Sequence, residues 1–326
     1  MSDTPITKIS GDIVRDDFNA INAVLHYARA AHFIGLWKSE LALIERYLPD
    51  KSANLLEAGC GAGRVAVGLW HQGYRNITAF DFASELVDQA ENLKQEQGIS
   101  GITFLQADAT KLLEARATNT VGAVAPNGPP AESRAVLQPA SENTERGLKQ
   151  RATLDPTPPA ATPIQAVEGN RPYLGTPPET TCHLLSDKPF DGALFMFNGL
   201  MQIPGRENRR AAMAGIQQLC RSGAHFIFTT HDREDPKDLK SWAKEAALWA
   251  KGEQNPRLLE FGDRYFTDET TGNTFMHLPD RKEILEDMVA TGWTHAHDST
   301  RNELASETPK VRNFSDNCRF WVAKKT

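Results

Sequence analysis

The sequence predicts an α/β protein with a doubly wound, mostly parallel sheet. Apolar strand-like runs alternate with helical periodicity on both sides of a proline-rich stretch. The first run ends in a glycine-rich turn that opens a helix, and acidic residues close the next two runs. With 326 residues, 40% hydrophobic and 24% charged, the composition is that of a globular protein of one large or two ordinary domains. Thirty-six basic against 42 acidic residues give a net charge of −6, a field that does not draw a polyanion. Neither nucleic acid nor an anionic membrane is therefore expected as the main partner. The longest apolar stretch, GALFMFNGLM, is too short to span a bilayer, and MSDTPITKISGD has no basic start followed by an apolar core. Cys60, Cys182, Cys220 and Cys318 form no CxxC pair, as expected of isolated thiols in the cytoplasm rather than of a disulfide frame or zinc site.

In chain order, residues 13–48 carry helical periodicity, read as two helices parted near Gly35. Ala53–Ala58 is a buried strand and Gly63–Gln72 a helix; Ile77–Phe80 is a second strand. Ser84 caps a helix whose Leu86, Val87, Ala90 and Leu93 share one face, and Ile102–Gln106 is the third strand. From Arg116 to Asp187, 72 residues hold eleven of the nineteen prolines and one aromatic residue, Tyr173. That stretch has too little apolar surface to offset the entropy of ordering and is expected to be a disordered insertion. Gly192–Phe197 is the fourth strand, Arg206–Cys220 a helix and His225–Thr230 the fifth strand. Asp232–Pro279 shows no strand rhythm. Asp280 to Glu283 forms a capping box for a helix to about Ala290, and Trp293–Asp298 and Cys318–Ala323 are extended.

The most informative motif is LLEAGCGAGR, residues 55–64. Gly59, Gly61 and Gly63, with Cys60 between them and Arg64 beyond, permit positive φ and bring bare backbone to a helix N-terminus. Asp81, at the end of the second strand, can accept both hydroxyls of a ribose, with Phe82 as an apolar face for a purine. Asp108, closing the third strand, can read an exocyclic amine while the Ala109 N–H meets a ring nitrogen. Glu57 can steady the loop or attract an ammonium group. Ends of successive parallel strands line the ligand crevice of such sheets.

With these residues the chain resembles the class I S-adenosylmethionine-dependent methyltransferases over roughly residues 20–115 and 188–326. Glu57, Gly59, Gly61 and Gly63 match the acidic-x-Gly-x-Gly-x-Gly motif; Asp81 matches the ribose acid, Asp108 the adenine-side acid and FDGALFMFNGL the fourth-strand motif. The resemblance implies a Rossmann-like sheet of seven strands whose last runs antiparallel, formed by the two closing extended stretches. It also implies S-adenosylmethionine as cofactor. The 72-residue insertion departs from the family pattern, which has a short helix and loop there. The expected organisation is N-terminal helices over the cofactor at 1–50 and a catalytic domain from 51–115 and 188–326. Residues 232–279 would cap the substrate.

Methyl transfer from a sulfonium rests largely on alignment and exclusion of water. Phe197 and the Asn198 carbonyl are candidates for its surroundings, and Tyr27, Phe33 and Trp37 can fold over the cofactor. His231, beside Asp232, is the candidate base, with His277 second. His295 and His297, at i and i+2, would share one face of a strand and could in principle bind metal, but no third ligand is evident, so a solvated strand face and no metal are expected. Asn198 lacks the Pro-Pro-aromatic run of nucleic-acid amino methyltransferases, and no Pro-Cys pair supplies a cysteine nucleophile. A small-molecule acceptor, methylated on oxygen or nitrogen, is expected. Trp242, Trp249, Arg257, Arg264 and Tyr265 are expected to lend the cap its specificity. Two competing readings are a nicotinamide-dependent oxidoreductase, which would share the glycine turn, and a non-catalytic cofactor-binding module acting through the insertion.

Overall fold

The computed structural model describes residues 6–113 and 188–326; the proline-rich insertion lies outside the described residues. Three helices come first, α1 (Gly11–Asn19), α2 (Ile21–Phe33) and α3 (Lys38–Tyr47). The sequence pattern suggests two, because the break between α1 and α2 is a single extended residue, Ala20 at ψ 141°. There follow β1 (Asn54–Ala58), α4 (Arg64–His71), β2 (Asn76–Asp81), α5 (Ser84–Glu96) and β3 (Ile102–Gln106). Beyond the insertion come β4 (Phe190–Phe195), α6 (Arg206–Leu219), β5 (Cys220–Thr230), α7 (Leu239–Lys251), β6 (Asp263–Asp268), β7 (Gly272–His277), α8 (Arg281–Ala290), β8 (Trp293–Thr300) and β9 (Arg319–Lys325).

Seven strands form one sheet in the order β3-β2-β1-β4-β5-β9-β8. β9 is antiparallel to both its neighbours; the other paired strands run parallel. The expected sheet is thus present, and its inserted antiparallel strand departs from the 3-2-1-4-5-6 order of dinucleotide enzymes. Successive residues serve opposite faces, as the pleat requires. Leu55, Ile227 and Val322 pack beneath the N-terminal helices with α4 and α5. Leu56, Phe226, Phe228 and Trp321 pack under α6 and α8. Both faces are covered, which is why β1 and β4 read as apolar runs without alternation. No helix among the described residues is long and apolar enough to cross a membrane.

Two expectations change. Between His295 and His297 the register with β9 shifts, so His295 faces Ala323 while His297 faces the very next residue, Val322. The extra residue of this bulge sends the two imidazoles to opposite faces. His295 packs against Trp321 and bonds Asp298 at 2.8 Å, whereas His297 packs on Tyr47. They cannot share a metal. The segment 232–279 also contains a helix and the antiparallel hairpin β6–β7. The hairpin escapes an apolar-rhythm reading because much of what it buries is charged: Asp263 and His277, beside Phe275.

That buried charge fastens the hairpin to the sheet domain. His277 Nδ1 bonds Asp263 at 2.8 Å and Nε2 bonds Glu283 at 2.8 Å. Arg209, fully buried on α6, donates to Glu260 at 2.9 Å, to Glu283 at 3.2 Å and to the Ile203 carbonyl. Burial pulls the His277 pKa down, but the two carboxylates more than offset it and the net shift is upward. Burial also opposes ionisation of Glu283, yet His277 and Arg209 bring its carboxyl to about 2.

A folded-state pKa raised above the unfolded value of about 6.5 makes the His277 contribution complete at lower pH and lost as pH rises through the folded value. Glu283 runs the other way, contributing above 4.5 and losing its contribution as pH falls toward 2. We expect His277→Gln to cost about 3–5 kcal/mol, as when one partner of a buried ion pair is removed. Urea midpoints of the wild type should fall from pH 6 to 9 more steeply than those of the variant; parallel slopes would contradict the assignment.

Candidate functional site

The carboxyl ends of β1, β2, β3 and β4 surround a cavity of about 330 Å³, closed from above by α1 and α2. Its floor is the glycine turn between β1 and α4. Gly59, Gly61 and Gly63 all have positive φ, at 62°, 52° and 84°. They do so for different reasons. A Cβ on Gly59 would lie 2.3 Å from the Phe195 ring, and one on Gly63 would meet Phe104 at 3.0 Å and Ala90 at 3.1 Å. Around Gly61 there is open space. Gly59 and Gly63 let the turn pack on the sheet and α5, and Gly61 leaves backbone bare toward the cavity.

Three carboxylates line this floor. Asp81 accepts from the Gly61 N–H at 2.8 Å and the Ala83 N–H at 3.0 Å. Only 5% exposed, it is pushed up to about 6 by burial in spite of those bonds. Glu57, at the end of β1, is pushed up to about 8 by burial, with Arg64 opposing. Its Oε2 has no hydrogen-bond partner among the described residues. Asp108 caps the turn after β3, accepting from the Thr110 N–H at 2.9 Å and hydroxyl at 2.7 Å, with the Lys111 ammonium 3.6 Å away. The Cys60 thiol lies beside Asp81 and Glu57, and burial pushes its pKa well up.

The N-terminal helices are latched to this floor by one ion pair. Arg64, the first residue of α4, donates to fully buried Glu40 at 2.6 and 2.8 Å and to the Gly35 carbonyl at 2.8 Å. Glu40 also accepts from the Trp37 N–H at 2.7 Å. The guanidinium lies over the rings of Trp37 (4.9 Å) and Phe197 (5.7 Å). An unbroken run of aromatic rings crosses the cavity: Phe82 to Phe18 at 5.7 Å, Phe18 to Tyr27 at 5.5 Å, Tyr27 to Phe197 at 6.0 Å and Phe197 to Phe314 at 5.3 Å. Burial pushes the Tyr27 phenol up to about 12, and its hydroxyl pairs with Gln202.

Beyond β4, Phe197 and Asn198 are both left-handed, at φ 54° and 61°. For side-chain-bearing residues this costs about 1–2 kcal/mol each, so the surrounding structure must hold the turn in place. The Asn198 N–H donates to the Thr229 hydroxyl at 2.7 Å.

Of the residues singled out from sequence, Tyr27, Glu57, Gly59, Cys60, Gly61, Arg64, Asp81, Phe82, Asp108, Ala109 and Phe197 line the cavity together. Gly63, Trp37, Asn198 and His231 are packed behind its walls. Phe33 is 68% exposed and does not cover the site. The cap aromatics do not line it either. Arg264 lies over Trp242 and Arg257 over Tyr265, whose hydroxyl donates to Asp17 of α1 at 2.9 Å. The hairpin therefore braces α1, and α1 is what reaches the cavity, through Asp12, Arg15 and Phe18. Sequence reasoning missed those three, together with Gln202, Ile203, Asn208 and Phe314. Only Gln202 and Asn208 carried a signal, as polar residues just past a strand end that points into the crevice.

Residues 55–142 match a family model described as a methyltransferase domain. Among solved structures the chain is similar to a SAM-dependent methyltransferase from Methanosarcina mazei, at 14% identity, 87% of this chain, 96% of that one and a TM-score of 0.50. It is similar also to the 4+2 cyclase SpnF, at 14% identity, 99% of each chain and a TM-score of 0.52. A magnesium protoporphyrin IX methyltransferase from Synechocystis follows at 13% identity, 97% and 99% coverage and a TM-score of 0.49. No curated protein sequence matches the chain. Residues 55–142 thus match a methyltransferase domain, and the chain shares the fold of a solved SAM-dependent methyltransferase.

Gly61, which faces open space, and Gly59, which packs on Phe195, should separate experimentally. Gly61→Ala should cost about 1–2 kcal/mol from φ alone. Gly59→Ala should cost about 1–3 kcal/mol more, since the buried Phe195 ring cannot withdraw. Thermal unfolding of both variants measures this, and equal losses would show that the turn does not pack as described.

Proposed function

We propose that this cavity binds S-adenosylmethionine and that the protein transfers its methyl group to a small-molecule oxygen or nitrogen. The observation that carries the reading is the pair of buried acids, Glu57 and Asp81, beside a bare glycine backbone. Glu57 keeps an unpartnered oxygen, and both carboxyls are raised by burial, to about 8 and about 6. Such a site favours a ligand that brings positive charge and hydroxyl donors, because unpaired buried carboxylates are costly.

Each residue has a task in this reading. Each Asp81 oxygen accepts one backbone N–H and retains a lone pair for a ribose hydroxyl. Phe82 covers the purine, Asp108 takes its exocyclic amine and the Ala109 N–H a ring nitrogen. Glu57 meets the ammonium of the amino-acid end, and Arg64, held by Glu40, lies beside it. Tyr27 and Phe197 present ring faces and edges to the sulfonium, a cation such surfaces favour over hydrocarbon. The sulfonium supplies the leaving group: the acceptor lone pair attacks the methyl carbon, and the carbon–sulfur electron pair stays on sulfur. The protein then has to align the acceptor and exclude water, and α1 and α2 close the cavity to do so. The hairpin of the 232–279 segment serves by bracing α1. A net charge of −6 suits a small acceptor better than a polyanion. Because a cyclase has a similar fold, fold alone does not select the reaction. The acids and the glycine turn support this choice; Glu57 before the glycines and Asp108 argue against a nicotinamide cofactor, with which the turn itself would be shared.

S-adenosylhomocysteine at 100 times its Kd should stabilise the protein by about 2.7 kcal/mol, a readily measured rise in Tm. Asp81→Ala should weaken it roughly ten- to 100-fold, as loss of hydrogen bonds to a charged group does. With Glu57 protonated below about 8 in the empty site, an arriving ammonium should expel that proton, so affinity should climb from pH 6 to 8. Calorimetry in two buffers of different ionisation enthalpy reads the proton release. No stabilisation by S-adenosylhomocysteine, with stabilisation by a nicotinamide dinucleotide instead, would overturn the proposal.

A further inference from the structure

His231 follows β5 and, by its position beside a strand end, reads as a proton acceptor. Its surroundings give it different work. The ring is set behind the cavity wall and is not among the residues that line it. Nε2 lies 3.1 Å from the side-chain Nδ2 of Asn198. With the amide nitrogen donating there, Nε2 holds its lone pair and the ring is neutral, while the buried Asn198 Oδ1 has no hydrogen-bond partner among the described residues. Burial lowers the pKa of the imidazole, outweighing a backbone hydrogen bond with Asn317 that acts to raise it. The lone pair that a base would use is already engaged.

Asn198 is the place where this engagement matters. It is 3% exposed, left-handed, and preceded by a second left-handed residue, Phe197. Its carbonyl accepts from Met201 at 2.9 Å and starts the short turn Gly199–Gln202, which delivers Gln202 to the cavity and to the Tyr27 hydroxyl. Phe197 projects from the same strained pair into contact with Tyr27, Trp37 and Phe314. Two side chains from the end of β5 hold the strained residue: Thr229 takes its backbone N–H and His231 its amide. Strained backbone of this kind persists only where neighbours over-determine it.

We propose that His231 is a positioning residue, acting through the Asn198 side chain to hold Phe197 and Gln202 at the cavity, and that it does not accept the acceptor's proton. This rests on the donor-binding reading only for its effect on affinity. The juxtaposition is independent of any ligand.

The test compares wild type, His231→Ala, His231→Gln and Asn198→Gly by calorimetry with S-adenosylhomocysteine, by Tm, and by NMR of the His231 ring nitrogens, the Asn198 amide and the Phe197 ring. Loss of the hydrogen bond should weaken S-adenosylhomocysteine about five- to tenfold in His231→Ala, the scale of one net hydrogen bond. His231→Gln, whose amide oxygen can accept from Asn198, should recover most of that affinity; a lost base would not be rescued this way. Asn198→Gly adopts the left-handed turn without strain but has no amide, and should lose affinity like His231→Ala, with no further loss in the double variant. The ring should remain a neutral tautomer with Nε2 unprotonated from pH 6 to 8. Unchanged Phe197 signals in His231→Ala, or a protonated Nε2, would overturn the proposal. Should the alanine variant fail to fold, the glutamine and glycine variants decide by the same signals. Failure of the wild type to bind S-adenosylhomocysteine would instead remove the donor reading, and the Phe197 and Asn198 signals would still decide this one.

Discussion

The bond from the Gly61 N–H to Asp81 is the constraint on which the site depends. It crosses from the turn after β1 to the end of β2, so the two strand ends cannot separate without exposing a buried carboxylate. Among the described residues no cation neutralises Asp81, and backbone donors hold it. The site is therefore preorganised and under-compensated at once, a combination that favours a ligand carrying its own donors and positive charge. Glu57 adds a second unmet demand a few residues away. Structural ion pairs elsewhere in the molecule, such as His277 with Asp263 and Glu283, show the contrasting case in which every charge is answered internally.

A second group of contacts makes the cavity an enclosed one. The Glu40–Arg64 pair joins α3 to the first turn of α4, and Tyr265 with Asp17 joins the hairpin to α1. α3 is thus tied to the helix that leaves the floor, and α1 to a hairpin 248 positions away. Breaking either tie would leave buried charge or polar groups uncompensated, so the roof is held by more than apolar contact. The charged cluster around Arg209 extends the same logic to the wall at Ile203 and Asn208. A specific electrostatic frame surrounds a cavity crossed by a run of aromatic rings.

Much of this was legible in the chain. Ala53–Ala58, Ile77–Phe80 and His225–Thr230 read as strands because both faces of the sheet are covered and apolar residues run without interruption. The glycine turn and Asp81 could be placed because their spacing is set by local geometry, one strand, one turn and one helix. The hairpin at 263–277 was hidden because two of its inward residues are Asp263 and His277, whose burial is made tolerable by their bond to each other, by the Leu259 and Glu260 N–H groups on Asp263, and by Glu283 of α8 on His277. The separation of His295 from His297 was hidden because one inserted residue reverses a face without leaving a mark in composition.

By itself the sequence determined the strands, the glycine turn and the identity of the acids at the strand ends, since each is written in a local pattern of a few to a few tens of residues. Only the tertiary structure decided which aromatic rings reach the cavity, that α1 rather than the tryptophan-bearing segment forms its roof, and that the His231 lone pair is turned toward Asn198. Those outcomes depend on contacts between residues dozens to hundreds of positions apart. Their geometry follows from how layers pack and which buried charges find partners, and no local pattern records it.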